Sequence, residues 1–443
     1  MDKHTLLNQS KVFCMAPWTH MHVWPNGTAK PCCVTNSEQK YGNTHDNTIQ
    51  ELWNSESACK LRSDMLAGKP NEYCNHCYAV EKTNQGSLRT SLNKRFGEDH
   101  FDKVKITKSD GSHDEPNFTY MDIRFSNICN LKCRTCNPTW SSSWYDEYKK
   151  VNGSVPVQIT PKKYTQITDK DKLLEEILGL IDTTEGVNWA GGEPFITEEH
   201  WTVMDHWVST GKAKDIEVDY TTNFSMLKYK KRDLFELWSH FKQVRIHASL
   251  DGSWQRGEYL RKGLDWQQVI DNRKRMLEQA PHIQFEIIPT VSILNAMHLP
   301  DFHKEWLENG WIYNADHFRF NFLFSPSEFC LRNATNRYKK KVSNRWREHK
   351  RWLIDNQHSK PDDSIIQWID GLEKFMYVKA EKVNMDKLLT TYDRVRDERW
   401  WQVFPELIDR DTLVNTVVKK IKRKYIRYRV NKRIQRKQKF IMD

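Results

Sequence analysis

No stretch of the 443-residue chain holds the roughly 18 consecutive apolar residues that a membrane-crossing helix needs. The first residues, Met1-Asp-Lys-His-Thr-Leu-Leu-Asn8, lack the apolar core of a secretory leader. The spacing of a disulfide scaffold is also missing. The ten cysteines fall mainly in groups at metal-ligand intervals, which suits a reducing compartment and sets the expectation of a cytoplasmic protein. Acidic residues are absent from Lys419 to Lys439, where 12 Lys or Arg stand. With Asp443, this tail carries the entire formal net charge of +11, so residues 1–418 are neutral. Nucleic acid, an anionic membrane surface or an acidic protein would suit such a tail, and Tyr425, Tyr428 and Phe440 could stack on bases. A solvated helix is the plain alternative. At 38% hydrophobic, the chain can build the cores of two or three domains.

Three cysteines, Cys129, Cys133 and Cys136, follow Tyr120–Phe125, in which Tyr120, Asp122 and Arg124 alternate with Met121, Ile123 and Phe125. The alternation predicts a strand ending just before the first thiol. Thiolates on a loop after a strand can converge on one metal centre. A four-iron cluster has four corners, so three cysteines leave one iron open to a substrate or cofactor. A partial zinc site and a stripe on one helix face are the bland alternatives. Farther along, Ala190-Gly-Gly-Glu-Pro-Phe195 ends a second strand-like run, Gly186–Trp189. Its glycines allow close approach to the backbone, its carboxylate can grip an ammonium group, and its proline fixes the exit.

Together these two segments closely resemble the radical S-adenosylmethionine (SAM) superfamily, whose signatures are a Cx3Cx2C loop and a GGEP segment. The resemblance implies an α/β fold with a partial (β/α)6 TIM-like barrel and a 4Fe-4S cluster on Cys129, Cys133 and Cys136. It also implies SAM bound at the open iron beside Gly191, Gly192, Glu193 and Pro194. Reductive cleavage would give a 5′-deoxyadenosyl radical that takes hydrogen from a substrate, with flavodoxin or ferredoxin as the low-potential electron donor. Thr221-Thr222-Asn223 resembles the TNG-like end of the third strand, although Phe224 stands where glycine is usual. Ser249-Leu-Asp-Gly252 resembles the fourth-strand SxDG segment, and Arg261 matches an arginine that reaches the SAM carboxylate in relatives. Asn295 matches a SAM-proximal asparagine in some relatives. Thr135 departs from the family, which usually has an aromatic residue before the third cysteine.

Six further cysteines precede residue 85: Cys14, Cys32, Cys33, Cys59, Cys74 and Cys77. With Glu51-Leu-Trp-Asn-Ser55 and Gly68-Lys-Pro70, they resemble the twitch and SPASM auxiliary-cluster domains of radical SAM enzymes. That resemblance implies a second, fully ligated 4Fe-4S cluster on Cys14, Cys32, Cys74 and Cys77, with zinc as the competing reading. Cys33, next to Cys32, is the reserve ligand, and Cys59 reads as a small buried group. Such domains usually follow the barrel; here the order is reversed.

The expected organisation is an auxiliary domain at 1–85, a polar linker at 86–115, the core barrel at 116–326, a helical extension at 327–410 and the basic tail at 411–443. Six strands are expected, at Tyr120–Ser126, Gly186–Ala190, Ile216–Thr222, Val244–Leu250, Ile283–Ser292 and Phe318–Phe324. Helices are expected between them at Lys172–Ile181, Glu198–Ser209, Lys231–His240 and Trp266–Gln279. Relatives of this kind imply a peptide or protein side chain as substrate. The tail keeps RNA or a nucleotide open, and a non-catalytic iron–sulfur or zinc protein that binds nucleic acid is the third class.

Overall fold

In the computed structural model, residues 2–36, 39–82, 86–114, 118–155 and 170–408 are described. The basic tail lies outside them. Residues 1–384 form one compact unit. A second unit begins at Met385 and contains the helix Met385–Arg396.

The centre of the first unit is an eight-stranded sheet. Its strands are β1 (His20–Val23), β2 (Thr28–Lys30), β3 (Gly42–Asn43), β4 (Tyr120–Ile123), β5 (Gly186–Trp189), β6 (Glu217–Thr222), β7 (Gln243–Ala248) and β8 (Gln284–Ile287). The spatial order is β8-β7-β6-β5-β4-β1-β2-β3. From β8 to β1 every pairing is parallel. A sixth β/α unit continues past β8 through the bridge Ile287–Phe318 and the parallel pair Thr290–Val291 with Asn321–Phe322. All six expected strands thus have counterparts in the expected sequence order. The expected helix Lys231–His240 is shorter: a hairpin of Lys228–Tyr229 and Arg232–Asp233 precedes the helix Leu234–Trp238, and the Asp233 carboxylate accepts the Phe235 N–H at its start.

Two features of the cysteine-rich segment differ from the expected separate domain. Strand β1 adds to the first barrel strand in parallel, His20 opposite Tyr120 and His22 opposite Asp122, so the segment is part of the barrel's own sheet. Second, the expected linker contains the 13-residue helix Leu88–His100. Ser87 and Thr90 form a reciprocal cap at its start, and Leu92, Asn93 and Phe96 are buried. A polar composition (Arg89, Asn93, Lys94, Arg95) hides this helix because its polar residues make specific bonds. Arg89 donates to the Phe13 carbonyl at 2.7 Å, and Arg95 reaches Asp219 at 2.9 Å and Glu217 at 3.0 Å.

The alternation of each strand sorts residues between two faces. Val218 and Tyr220 of β6 face an aromatic core with Phe195, His200 and Trp238. Asp219 and Thr221 of β6 and Arg245 and His247 of β7 lie on the opposite, inner face. Glu217, which Arg95 contacts, is the first residue of β6. The helix Leu88–His100 therefore covers the inner face at the N-terminal ends of the strands. The C-terminal ends stay more open: Thr221 is exposed in the middle of the sheet.

Candidate functional site

The loops bearing the predicted site residues all leave the C-terminal ends of neighbouring parallel strands, where barrel sites form. The three-cysteine loop follows β4, the double glycine follows β5, Asn223 follows β6 and Ser249 follows β7. The cysteine loop is fastened on every side. Asn127 donates to the Pro138 carbonyl at 2.7 Å, Ser143 to the Cys129 carbonyl at 2.6 Å, and the Trp144 indole N–H to the Cys133 carbonyl at 3.0 Å. Trp144 is thus a buried support for the loop. Trp140 is 41% exposed and packs on Trp24.

Gly192 explains why this segment must be glycine. A Cβ there would lie 2.0 Å from the Ile128 carbonyl oxygen, and the next N–H, of Glu193, donates to that same oxygen at 2.7 Å. Gly191 has φ +122°, a backbone that side-chain-bearing residues rarely adopt. The two glycines let the second strand's end lie directly against the first cysteine's neighbour. Glu193 is buried and accepts the Thr222 hydroxyl and the Asn223 N–H, both at 2.8 Å. Burial pushes its carboxyl up to about 7 against the pull of those bonds. Pro194 follows it into a short 3-10 turn. Asn223 donates to Asn130 inside the cysteine loop at 2.8 Å, so the third strand is tied to the same loop.

Phe224 occupies the usual glycine position with φ +56°, so the left-handed turn persists while the ring packs on Phe285 at 4.9 Å. Arg261 is engaged within the protein. Its guanidinium pairs with Asp251 at 2.8 Å and donates to the Cys133 sulfur at 3.6 Å. Asn295 is held as well: its amide donates to the Asp251 and Thr290 carbonyls, both at 3.0 Å, and its oxygen accepts the Ser292 N–H. That asparagine is a buried lock on the fourth-strand turn. Ser249 has no side-chain partner among the described residues.

The donor chemistry fits an iron–sulfur cluster. Burial pushes the Cys129 thiol up to about 12 and Cys136 higher still, and in both the neighbouring Cys133 adds to the effect. The three thiols share one short loop, and a bound metal centre supplies the positive charge that turns such a group into thiolates.

The four expected auxiliary ligands converge as well. Cys14, Cys32, Cys74 and Cys77 line one small cavity, whose remaining wall is mainly apolar and includes Arg89. Burial pushes Cys32 and Cys74 up to about 12 and raises Cys14 and Cys77 too. Cys33 does not line this cavity; Asp122 and Arg124 act on it instead. Cys59 packs against Arg62 and the Asn54 carbonyl.

Sequence reasoning missed the inner face of the sheet. Asn188 of β5 and Thr221 of β6 lie there without side-chain partners among the described residues. Beside them His247 Nδ1 lies 3.3 Å from Glu286, and Nε2 lies 4.0 Å from Asp219. Arg245 and Arg95 also pair with Asp219, and the Tyr120 hydroxyl donates to it at 2.6 Å. The available signal was a polar residue at every second position of central strands, where a closed barrel would pack apolar side chains.

The family model of the radical SAM superfamily matches residues 123–308. That of SPASM, an iron–sulfur cluster-binding domain, matches residues 14–78. Residues 123–308 thus carry a radical SAM domain, with a SPASM-like domain ahead of it at residues 14–78. The family's cofactors are a 4Fe-4S cluster with SAM in the core and iron–sulfur in the SPASM region. Among solved structures, native anSMEcpe with bound AdoMet is similar at 17% identity, covering 54% of this chain and 61% of that one, with a TM-score of 0.38. Its form with bound AdoMet and Cp18Cys peptide gives 16% identity, 53% and 60% coverage and a TM-score of 0.36. The chain thus spans about three-fifths of the length of that protein. No curated protein matches.

Proposed function

We propose that this protein is a radical SAM enzyme acting on a peptide or protein side chain. Cys129, Cys133 and Cys136 would hold the SAM-binding cluster, and Cys14, Cys32, Cys74 and Cys77 the auxiliary one. When bound, the cluster and SAM supply a 5′-deoxyadenosyl radical that abstracts hydrogen from the substrate. The protein's own part is orientation and exclusion of water. Gly191 and Gly192 leave the backbone open beside the cysteine loop, and Glu193 holds two strand ends together through Thr222 and Asn223. The observation that carries the reading is this convergence of thiols, double glycine and Asn223 on adjacent strand ends.

The substrate class rests on the inner face. Asn188 offers an amide donor and acceptor, and Thr221 a hydroxyl, close to strand ends that carry the site loops. Flanking charges are already paired, Asp219 with Arg95 and Arg245, and Glu286 with Arg319 at 2.9 Å. Neutral hydrogen-bonding groups between satisfied ion pairs suit a peptide amide better than a phosphate chain, which needs unpaired cations.

The test uses extracts of cells grown in deuterated medium, split into protein and RNA fractions. Each is given to the anaerobic, cluster-loaded enzyme with SAM and dithionite. Deuterium should appear in 5′-deoxyadenosine with the protein fraction and be lost in Asn188→Ala/Thr221→Val. Transfer from the RNA fraction alone would overturn the substrate assignment.

A further inference from the structure

We infer that Arg261 is a positioning residue that sets the reduction potential of the core cluster through an N–H···S bond to Cys133. The inference rests on the reading that Cys129, Cys133 and Cys136 hold that cluster. Three observations carry it. Arg261 and Cys133 are paired directly, as Arg261–Lys262 forms a two-residue antiparallel ladder with Lys132–Cys133, and the Arg134 N–H donates to the Leu260 carbonyl at 2.7 Å. The side chain then returns to the same residue, with Nη1 3.6 Å from the Cys133 sulfur. Finally, the guanidinium is anchored from behind by Asp251 at 2.8 Å. Asp251 accepts the Thr290 N–H at 2.7 Å, and its carbonyl accepts the Asn295 amide.

This anchoring separates Arg261 from a mobile arginine that waits for a carboxylate. Its exposure is 9%, and the carboxylate it pairs with is the protein's own Asp251. A donor held on a ligand sulfur draws charge from the thiolate and favours the more negative, reduced cluster. Asp251 fixes the donor in place and so acts through it. The resulting potential differs from that of the same cluster without the bond, and the difference is confined to the core site, because the auxiliary cavity is lined by other residues.

The experiment is an EPR-monitored redox titration of the full-length, anaerobically loaded protein, with Arg261→Gln and Arg261→Lys beside wild type. The auxiliary cluster serves as the internal reference. We expect Arg261→Gln to weaken reduction of the core cluster about tenfold, a downward shift of roughly 59 mV for one electron. Arg261→Lys keeps the charge and loses the fork, so its shift should be smaller and of the same sign. If Arg261→Gln fails to hold the core cluster, the lysine variant carries the test alone. An unmoved core potential with both signals intact overturns the inference, and weaker SAM binding in that case would place Arg261 on the SAM carboxylate instead. Equal shifts in both clusters would also overturn it. Wild-type protein without a core signal would sink the cluster reading itself.

Discussion

One methyl group at Gly192 should disable the core site while leaving the auxiliary one whole. In Gly192→Ala the new Cβ would lie 2.0 Å from the Ile128 carbonyl oxygen, 2.5 Å from its carbon and 2.7 Å from the Asn127 carbonyl carbon. All three are backbone atoms of the segment entering Cys129, so no side chain can swing away. Relief requires the two strand ends to part by about 1 Å, since Cβ contacts closer than about 3 Å are not tolerated. Overpacking of this kind costs about 1–3 kcal/mol. Losing the Glu193 N–H bond to Ile128 adds about 1 kcal/mol. The expected destabilisation is therefore about 2–4 kcal/mol, read as a lower urea midpoint under anaerobic conditions. Displacing Cys129 should also cost the core cluster, so bound iron should fall by about four per chain, with the rest retained. Gly211→Ala is the control: it shares a left-handed backbone, φ +73°, but its Cβ would meet nothing within 4 Å. That variant should lose only about 1 kcal/mol and no iron. Full iron and a wild-type midpoint in Gly192→Ala would refute the packing argument.

Phe224→Ala removes a buried ring that packs on Phe285 and should cost about 3 kcal/mol in urea unfolding, the left-handed backbone remaining strained. For Glu286, burial alone would raise the pKa, but His247 and Arg319 outweigh it and hold the group down at about 2. A carboxylate lowered on folding stabilises above its unfolded value and loses that contribution as pH falls through the folded one. Wild type should therefore exceed Glu286→Gln by up to about 3 kcal/mol at pH 7. The gap in urea midpoint should hold to about pH 5 and narrow toward pH 2, whereas a pH-independent gap would refute the pairing. Cys74→Ala should lose about four irons and keep the core cluster, while Cys33→Ala, whose side chain lies outside the cavity lining, should keep both.

Much of the core was legible because its signals are local. A strand end, a cysteine loop and a double glycine are contiguous stretches, and each constrains its own backbone. The four auxiliary cysteines were legible through their resemblance to a known arrangement, and the fold brings all four to one cavity. What stayed hidden depends on long-range pairing. Nothing near His20–Val23 signals that it pairs with residues 120–123, a hundred positions away. Leu88–His100 has weak amphipathic character because Arg89, Asn93 and Arg95 face inward onto bonds supplied by distant segments. Arg261 and Asn295 carried recognisable motif positions, but their partners inside the protein did not show: Asp251 and Cys133 for the first, and Asp251, Thr290 and Ser292 for the second. Motif position gives the neighbourhood of a side chain; its partner is set by whichever group the fold brings nearest.

The most direct measurement is SAM cleavage by anaerobically reconstituted protein under dithionite, with iron and sulfide counted alongside. Wild type should hold about eight irons and release 5′-deoxyadenosine. The variant with Cys129, Cys133 and Cys136 all changed to alanine should hold about four and release none. Protein that binds zinc in place of iron, or that cleaves no SAM in either form, would contradict the account.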